Sequence, residues 1–196
     1  MTSILKADNI QDADGNNIIN ESGNTITIGA SGDTTNIIGT LQNNGAAVGG
    51  ANTPAFGAYS SGNISITNAT ETTVVFDSEY YDSASAYDTS TGKFTPQTAG
   101  KYYVYLNAGL LAGSTNKLFE AKLAIYKNGS AYRLHVTKYN EDADIANEAT
   151  PFVGAVIDFN GSSDYVEGYA NANVLSGNVS LDARNTEFGA YRIIGV

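Results

Sequence analysis

The chain has no cysteine, so neither disulfide bridges nor thiolate metal sites hold it, and stability has to come from an apolar core and from association. It has only three prolines, and they sit in no Gly-x-y repeat, which excludes a collagen stalk. Positive charge is scarce: ten Lys and Arg face twenty Asp and Glu, a formal net charge of −10. Proteins bind a phosphate backbone by setting basic side chains against it, so nucleic acid is excluded as a partner. The single histidine, His135, is the only base around which a Ser-His-Asp triad could form. It stands between Leu134 and Val136 with no Gly-x-Ser-x-Gly motif in the chain, the setting of an ordinary strand residue. Helix formers never accumulate on a helical period, and no apolar run is long enough to span a bilayer, so no membrane insertion is expected. Residues 1–8 hold no apolar stretch of signal-peptide length, so ordinary secretion is not expected.

What is present is a composition for short strands and turns. Hydrophobic residues make up 42% and charged residues 15% of 196, enough for one sizeable core plus an appendage. Twenty-one glycines and thirteen tyrosines beside so few prolines predict an all-β fold. Residues 76–106 organise it. Val74, Val75 and Phe76 favour a strand, and residues 77–92 are rich in Asp, Ser, Thr and Gly, which bend a backbone or bond to it locally. A long ordered loop there needs internal contacts, and Tyr80, Tyr81, Tyr87 and Phe94 are the candidates to make them. After Gly100 the chain alternates, with Tyr102, Val104 and Leu106 on one face and Lys101, Tyr103 and Tyr105 on the other.

Phe76, Asp82, Tyr87, Phe94, Gly100 and Tyr102 stand at the spacings of the C1q-like globular domain, a trimeric jelly roll related to tumour necrosis factor, and the chain resembles that family. It departs from the pattern at Val104 and Leu106, where the family has aromatics; both keep the strand face apolar. Residues 55–59 resemble the family's opening strand, 161–169 its late hairpin and 188–191 its closing strand, so the resemblance covers residues 54–196. It implies a trimeric jelly-roll head whose closing strand lies inside a sheet near the first. Some C1q relatives bind calcium, but the resemblance assigns no calcium ligand here, and no other cofactor is expected.

Residues 1–50 differ in character. They are poor in aromatics and carry a loose repeat, Gly15-Asn16-Asn17-Ile18-Ile19, Gly23-Asn24-Thr25-Ile26-Thr27-Ile28 and Gly32-Asp33-Thr34-Thr35-Asn36-Ile37-Ile38. Each unit is a polar turn followed by a short isoleucine-bearing strand, which cannot bury its apolar side alone. Three chains wound about one axis would bury Ile18, Ile26, Ile28 and Ile37 centrally, giving an intertwined trimeric β-stem; a flexible Gly/Asn-rich leader is the alternative. Residues 4–19 also resemble the N-terminal segments of structural and fibre proteins from marine bacteriophages. A small-residue linker, 39–53, ends at Pro54, so the expected division is a stem with virion-attachment segment and linker, 1–50, and a head, 51–196.

In the head, residues 118–126 alternate Leu118, Glu120, Lys122, Ala124 and Tyr126 against Phe119, Ala121, Leu123 and Ile125. Lys127-Asn128-Gly129-Ser130 reads as a hairpin turn, and 152–159, 164–169, 178–181 and 188–196 complete the strands. Residues 137–150 read as an exposed acidic loop, in which Tyr139, Glu141, Asp142 and Asp144 are candidate binding residues. Their carboxylates, like Asp77, Glu79 and Asp82, are oxygen ligands of the kind calcium takes, without the spacing of an EF-hand. No two carboxylates are brought together as a glycosidase requires.

The expectation is therefore non-enzymatic: a homotrimeric bacteriophage virion surface protein, a short tail fibre or adhesin binding a host surface glycan or protein. Its stem would contact other virion proteins. A head fibre or capsid decoration protein is the alternative, and a glycan-degrading enzyme a weaker one. Virion assembly in the host cytoplasm would place such a protein on the particle surface without a signal peptide.

Overall fold

The computed structural model describes residues 9–11, 13–15, 17–22, 25–29, 31–39, 41–43, 46–47, 52–113, 118–139 and 146–194. Every regular element among them is a β-strand. The chain divides into two compact units, Met1–Gly49 and Gly50–Val196.

In the first unit β1 (Asn9–Gln11), β2 (Asn17–Ser22) and β3 (Thr25–Ile28) form an antiparallel sheet in that order, and β4 (Gln42–Asn43) and β5 (Ala46–Ala47) a small hairpin. β2 pairs with both β1 and β3 within one chain, so the first two isoleucine units pair with each other inside that chain. The expected winding of separate chains is not needed to make this sheet. Ile18, Ile26, Ile28 and Ile37 remain exposed in the single chain, Ile26 by 68%.

The second unit is a sandwich. Its strands are β6 (Ala55–Tyr59), β7 (Ile64–Ile66), β8 (Thr72–Val74), β9 (Ser78–Asp82), β10 (Tyr87–Asp88), β11 (Lys93–Phe94), β12 (Gly100–Ala112), β13 (Leu118–Lys127), β14 (Ser130–Lys138), β15 (Glu148–Ala149), β16 (Phe152–Phe159), β17 (Val166–Val174) and β18 (Val179–Arg192). One sheet runs β15-β12-β18-β6-β9, with β16 also on β12 and β7 on β18. The other runs β10-β11-β17-β13-β14, with β8 on β17. All pairs are antiparallel, and their inner faces close on one core that includes Phe56, Phe76, Phe94, Tyr102, Leu106, Leu123, Ile125 and Phe188. Fully burying one such side chain stabilises by about 1.5–3 kcal/mol.

The alternation in β12 follows the sequence: Tyr102, Val104 and Leu106 are buried, and Tyr103 and Tyr105 point to the other face. In β13 a register shift between Leu118 and Glu120 turns Leu118 onto the core side with Ala121, Leu123 and Ile125, which simple alternation had placed opposite. The turn at Asn128-Gly129 has φ of 51° and 75°, the doubly positive pair that matches a hairpin's twist. Residues 179–181 and 188–192 belong to one strand, β18, kept continuous across an irregularity between its pairings to Asn107 and Gly109. It lies between β12 and β6, the first strand of the head.

Candidate functional site: an aromatic sheet face

The loop carrying the aromatic signature is built to hold its shape. The Asp82 carboxylate accepts hydrogen bonds from the backbone N–H of Ala84 at 3.1 Å and of Tyr87 at 2.8 Å, closing the turn after β9. The Tyr87 hydroxyl accepts from the Phe76 N–H and donates to the Phe76 carbonyl, both at 3.2 Å. Its ring stacks on Phe56 at 4.7 Å, and Phe56 stacks on Phe94 at 4.4 Å. Burial pushes the Tyr87 hydroxyl well above the ordinary tyrosine range. Gly100 opens β12 at a φ of 144°, and Tyr102, two residues on, donates to the Thr98 carbonyl at 2.8 Å. The signature residues thus form one internal assembly that fixes the fold.

Tyr80 and Tyr81 do not join it. They lie on β9, a strand where an irregular loop was expected, and both are exposed, Tyr80 by 64%. They belong to the outward face of the first sheet, which is the most distinctive surface of the head. Tyr103 lies 5.6 Å from Tyr191 and 6.3 Å from Tyr105, ring centre to ring centre, and Tyr59 stacks on Tyr80 at 4.5 Å. Phe152 and Val156 of β16 extend the apolar area.

Glycine makes this face flat. Tyr105 pairs with Gly154 on one side and Gly189 on the other. A Cβ at Gly189 would stand 2.5 Å from the Tyr105 hydroxyl oxygen, and one at Gly154 2.5 Å from that of Tyr103. Only a residue without a side chain lets each phenol lie down across the neighbouring strand. Laid flat, Tyr105 loses water: burial pushes its hydroxyl up to about 12, helped by the charge of Glu187 and a hydrogen bond to Tyr81.

At the rim, between the edge strands β14 and β16, Arg133, Leu134, His135, Phe152, Val153 and Gly154 line an open groove of about 310 Å³. The His135 ring hydrogen-bonds the Thr137 hydroxyl at 3.2 Å. No described nucleophile and carboxylate complete a triad with it. Tyr139, expected in an exposed loop, is part-buried against the core, its N–H donating to the Phe119 carbonyl at 2.9 Å. Glu141, Asp142 and Asp144 lie outside the described residues. Among the described residues no three His, Asp or Glu side chains form a metal-binding group. Asp77, weighed above as an ion ligand, instead accepts from the Ser61 N–H at 2.7 Å and from its hydroxyl, bonds that hold its carboxyl below the usual range. The sequence marks the aromatic face only as tyrosines alternating with core residues; that Gly154 and Gly189 flatten it follows from pairing between strands far apart in the chain.

Two sheets with this order, closed on an aromatic core and bearing an exposed aromatic face, define a jelly roll of the C1q and tumour necrosis factor type. Solved structures agree on the fold. The Eiger tumour necrosis factor of S. frugiperda superposes with a TM-score of 0.52 at 14% identity, covering 72% of this chain and 93% of its own. The globular domain of zebrafish complement 1qA gives 0.51 at 15%, covering 71% and 97%, and murine APRIL 0.52 at 13%, covering 71% and 98%. The C1q domain profile matches residues 55–157, more than half of the 196, and the chain belongs to the C1q domain family. No curated protein matches it. Domains of this kind are typically trimeric and generally serve binding or structural roles.

Proposed function

We propose that the protein is a non-catalytic homotrimer whose heads associate through the aromatic sheet face, and that it serves on a bacteriophage virion as a short tail fibre or adhesin. The observation that carries the trimer is the face itself. Tyr59, Tyr80, Tyr81, Tyr103, Tyr105 and Tyr191, with Phe152 and Val156, form one aromatic surface on one sheet. A contiguous apolar area of that kind marks an interaction site, and tyrosine is enriched at such interfaces because it joins a large ring to a polar tip. Family membership supports the same assembly.

The virion role rests on the pairing of a C1q-type head with a strand-rich N-terminal unit, and on the resemblance of residues 4–19 to phage fibre segments. In this reading the N-terminal unit docks on other virion proteins, and the head loops meet a host surface glycan or protein. Three copies add avidity to weak single contacts. Immunogold labelling of source-phage particles with antibody to residues 54–196 tests it. Label at the tail, with isolated protein blocking adsorption, is the expected result. Label over the capsid would make the protein a head fibre or decoration protein instead, and absence of label from every particle would overturn the virion role.

A further inference from the structure

Ile10, Ile19, Ile28 and Ile37 recur every nine residues. In the N-terminal sheet the period becomes a row, with Ile10 opposite Ile19 and Ile19 opposite Ile28. Strands that meander at a constant period keep the same residue in register, and residues opposed across a ladder share one face of the sheet. Ile37 is the next member, yet it has no place in the row within one chain. Ile37 and Ile38 form no ladder and are exposed, although continuing the register would set Ile37 against Ile28 and Ile38 against Thr27. The chain leaves β3 through Gly29 and Gly32, at φ of 81° and 97°. β3 meanwhile ends its sheet and is exposed along its whole length. A sheet edge offers a row of backbone donors and acceptors to any strand that matches it. Each copy of the chain therefore carries a matching edge and a matching strand that it does not join to each other.

We propose that the N-terminal units exchange strands between copies: the segment at Ile37 and Ile38 of each adds antiparallel to β3 of the next, with Ile37 against Ile28 and Ile38 against Thr27, until the third copy closes on the first. The number three rests on the trimer reading above. Exchange lengthens each isoleucine row from three members to four. It gives the exposed edge its hydrogen bonds and brings three apolar faces around one axis. A head-to-tail contact that closes in this way yields a ring with no strand left over.

Because the chain has no cysteine, a full-length Thr27→Cys/Ile38→Cys double variant reads the pairing directly. Ile38 is 96% exposed and Thr27 is exposed too, and the isoleucine row stays intact. Residues opposed across an antiparallel ladder lie about 4.5–5.5 Å apart at Cα, within reach of a disulfide. Copper-phenanthroline oxidation followed by non-reducing denaturing electrophoresis should give a three-chain species as the limit product, reversed by reductant, which neither single variant can form. A disulfide closed within one chain would mean that Ile37 and Ile38 pair with their own β3, and would overturn the exchange. Free thiols, or a two-chain limit product, would overturn it as well. Light scattering of the unsubstituted protein keeps the two readings apart. A three-chain mass without the three-chain disulfide species sinks the exchange alone, whereas a one-chain mass sinks the trimer with it.

Discussion

Tyr87 and Gly189 show how much single atoms decide in this head. The Tyr87 hydroxyl bonds both the N–H and the carbonyl of Phe76 in a buried setting. Tyr87→Phe leaves both backbone groups without that partner, and a buried polar group left unsatisfied costs about 1–3 kcal/mol. Thermal denaturation should record a lowered midpoint with the fold retained. Gly189→Ala acts by crowding: the new Cβ would meet the Tyr105 hydroxyl at 2.5 Å, so the ring must lift from the sheet. Overpacking of this sort costs about 1–3 kcal/mol. Because Tyr105 lies on the proposed interface, the variant should also weaken the trimer, seen as a shift toward one-chain mass on dilution in light scattering. An unchanged mass at low concentration would argue against the face as the contact.

At the level of elements, β18 holds the first sheet together, since it pairs with β12, β6 and β7. Truncation before Glu187 should abolish the folded head, with loss of native circular dichroism, because β12 and β6 would be left without a common neighbour. Much of this architecture was legible in the sequence. The alternation of Tyr102, Val104 and Leu106 against Tyr103 and Tyr105 announced β12, Asn128-Gly129 announced the turn into β14, and the aromatic spacing announced the family. Other features were not legible, for physical reasons. The register shift at the start of β13 reverses Leu118 against plain alternation. β9 emerges from a turn-rich stretch because the edge of β6 is there to pair with it, a tertiary effect that local preference does not contain. The aromatic face needs strands distant in sequence to bring glycine beside tyrosine, so its tyrosines were visible and its flatness was not.

The whole molecule should respond to pH at both ends. Tyr105 is pushed up to about 12 in the folded head, from about 10 in an unfolded chain. The folded state thus favours the neutral phenol, so this contribution is complete below pH ~10 and disappears as pH climbs toward 12. Tyr87, raised further by burial, adds to the same loss. At the acid end, Asp88 is held at about 2 by hydrogen bonds from Ser90 and then Thr91. Asp164 is lowered by Asn128 and then Lys127, and Asp182 by Arg184. All three contributions are complete above pH ~4 and are lost on the acid side of it, that of Asp88 as pH falls toward 2. Denaturation midpoints measured across pH should form a plateau with a decline on each side. Tyr105→Phe should soften the alkaline decline if Tyr105 governs it.

The tyrosine face has a spectroscopic consequence. The chain has thirteen tyrosines and no tryptophan, so no indole outshines or drains the phenol emission. Tyr103, Tyr105 and Tyr191 stand close enough for excitation to hop from ring to ring before a photon leaves, which scrambles polarisation. Association of the heads would bring further rings into the same network and change their contact with water. Native ultraviolet anisotropy would then follow the coming together of copies, with no dye attached and no residue replaced.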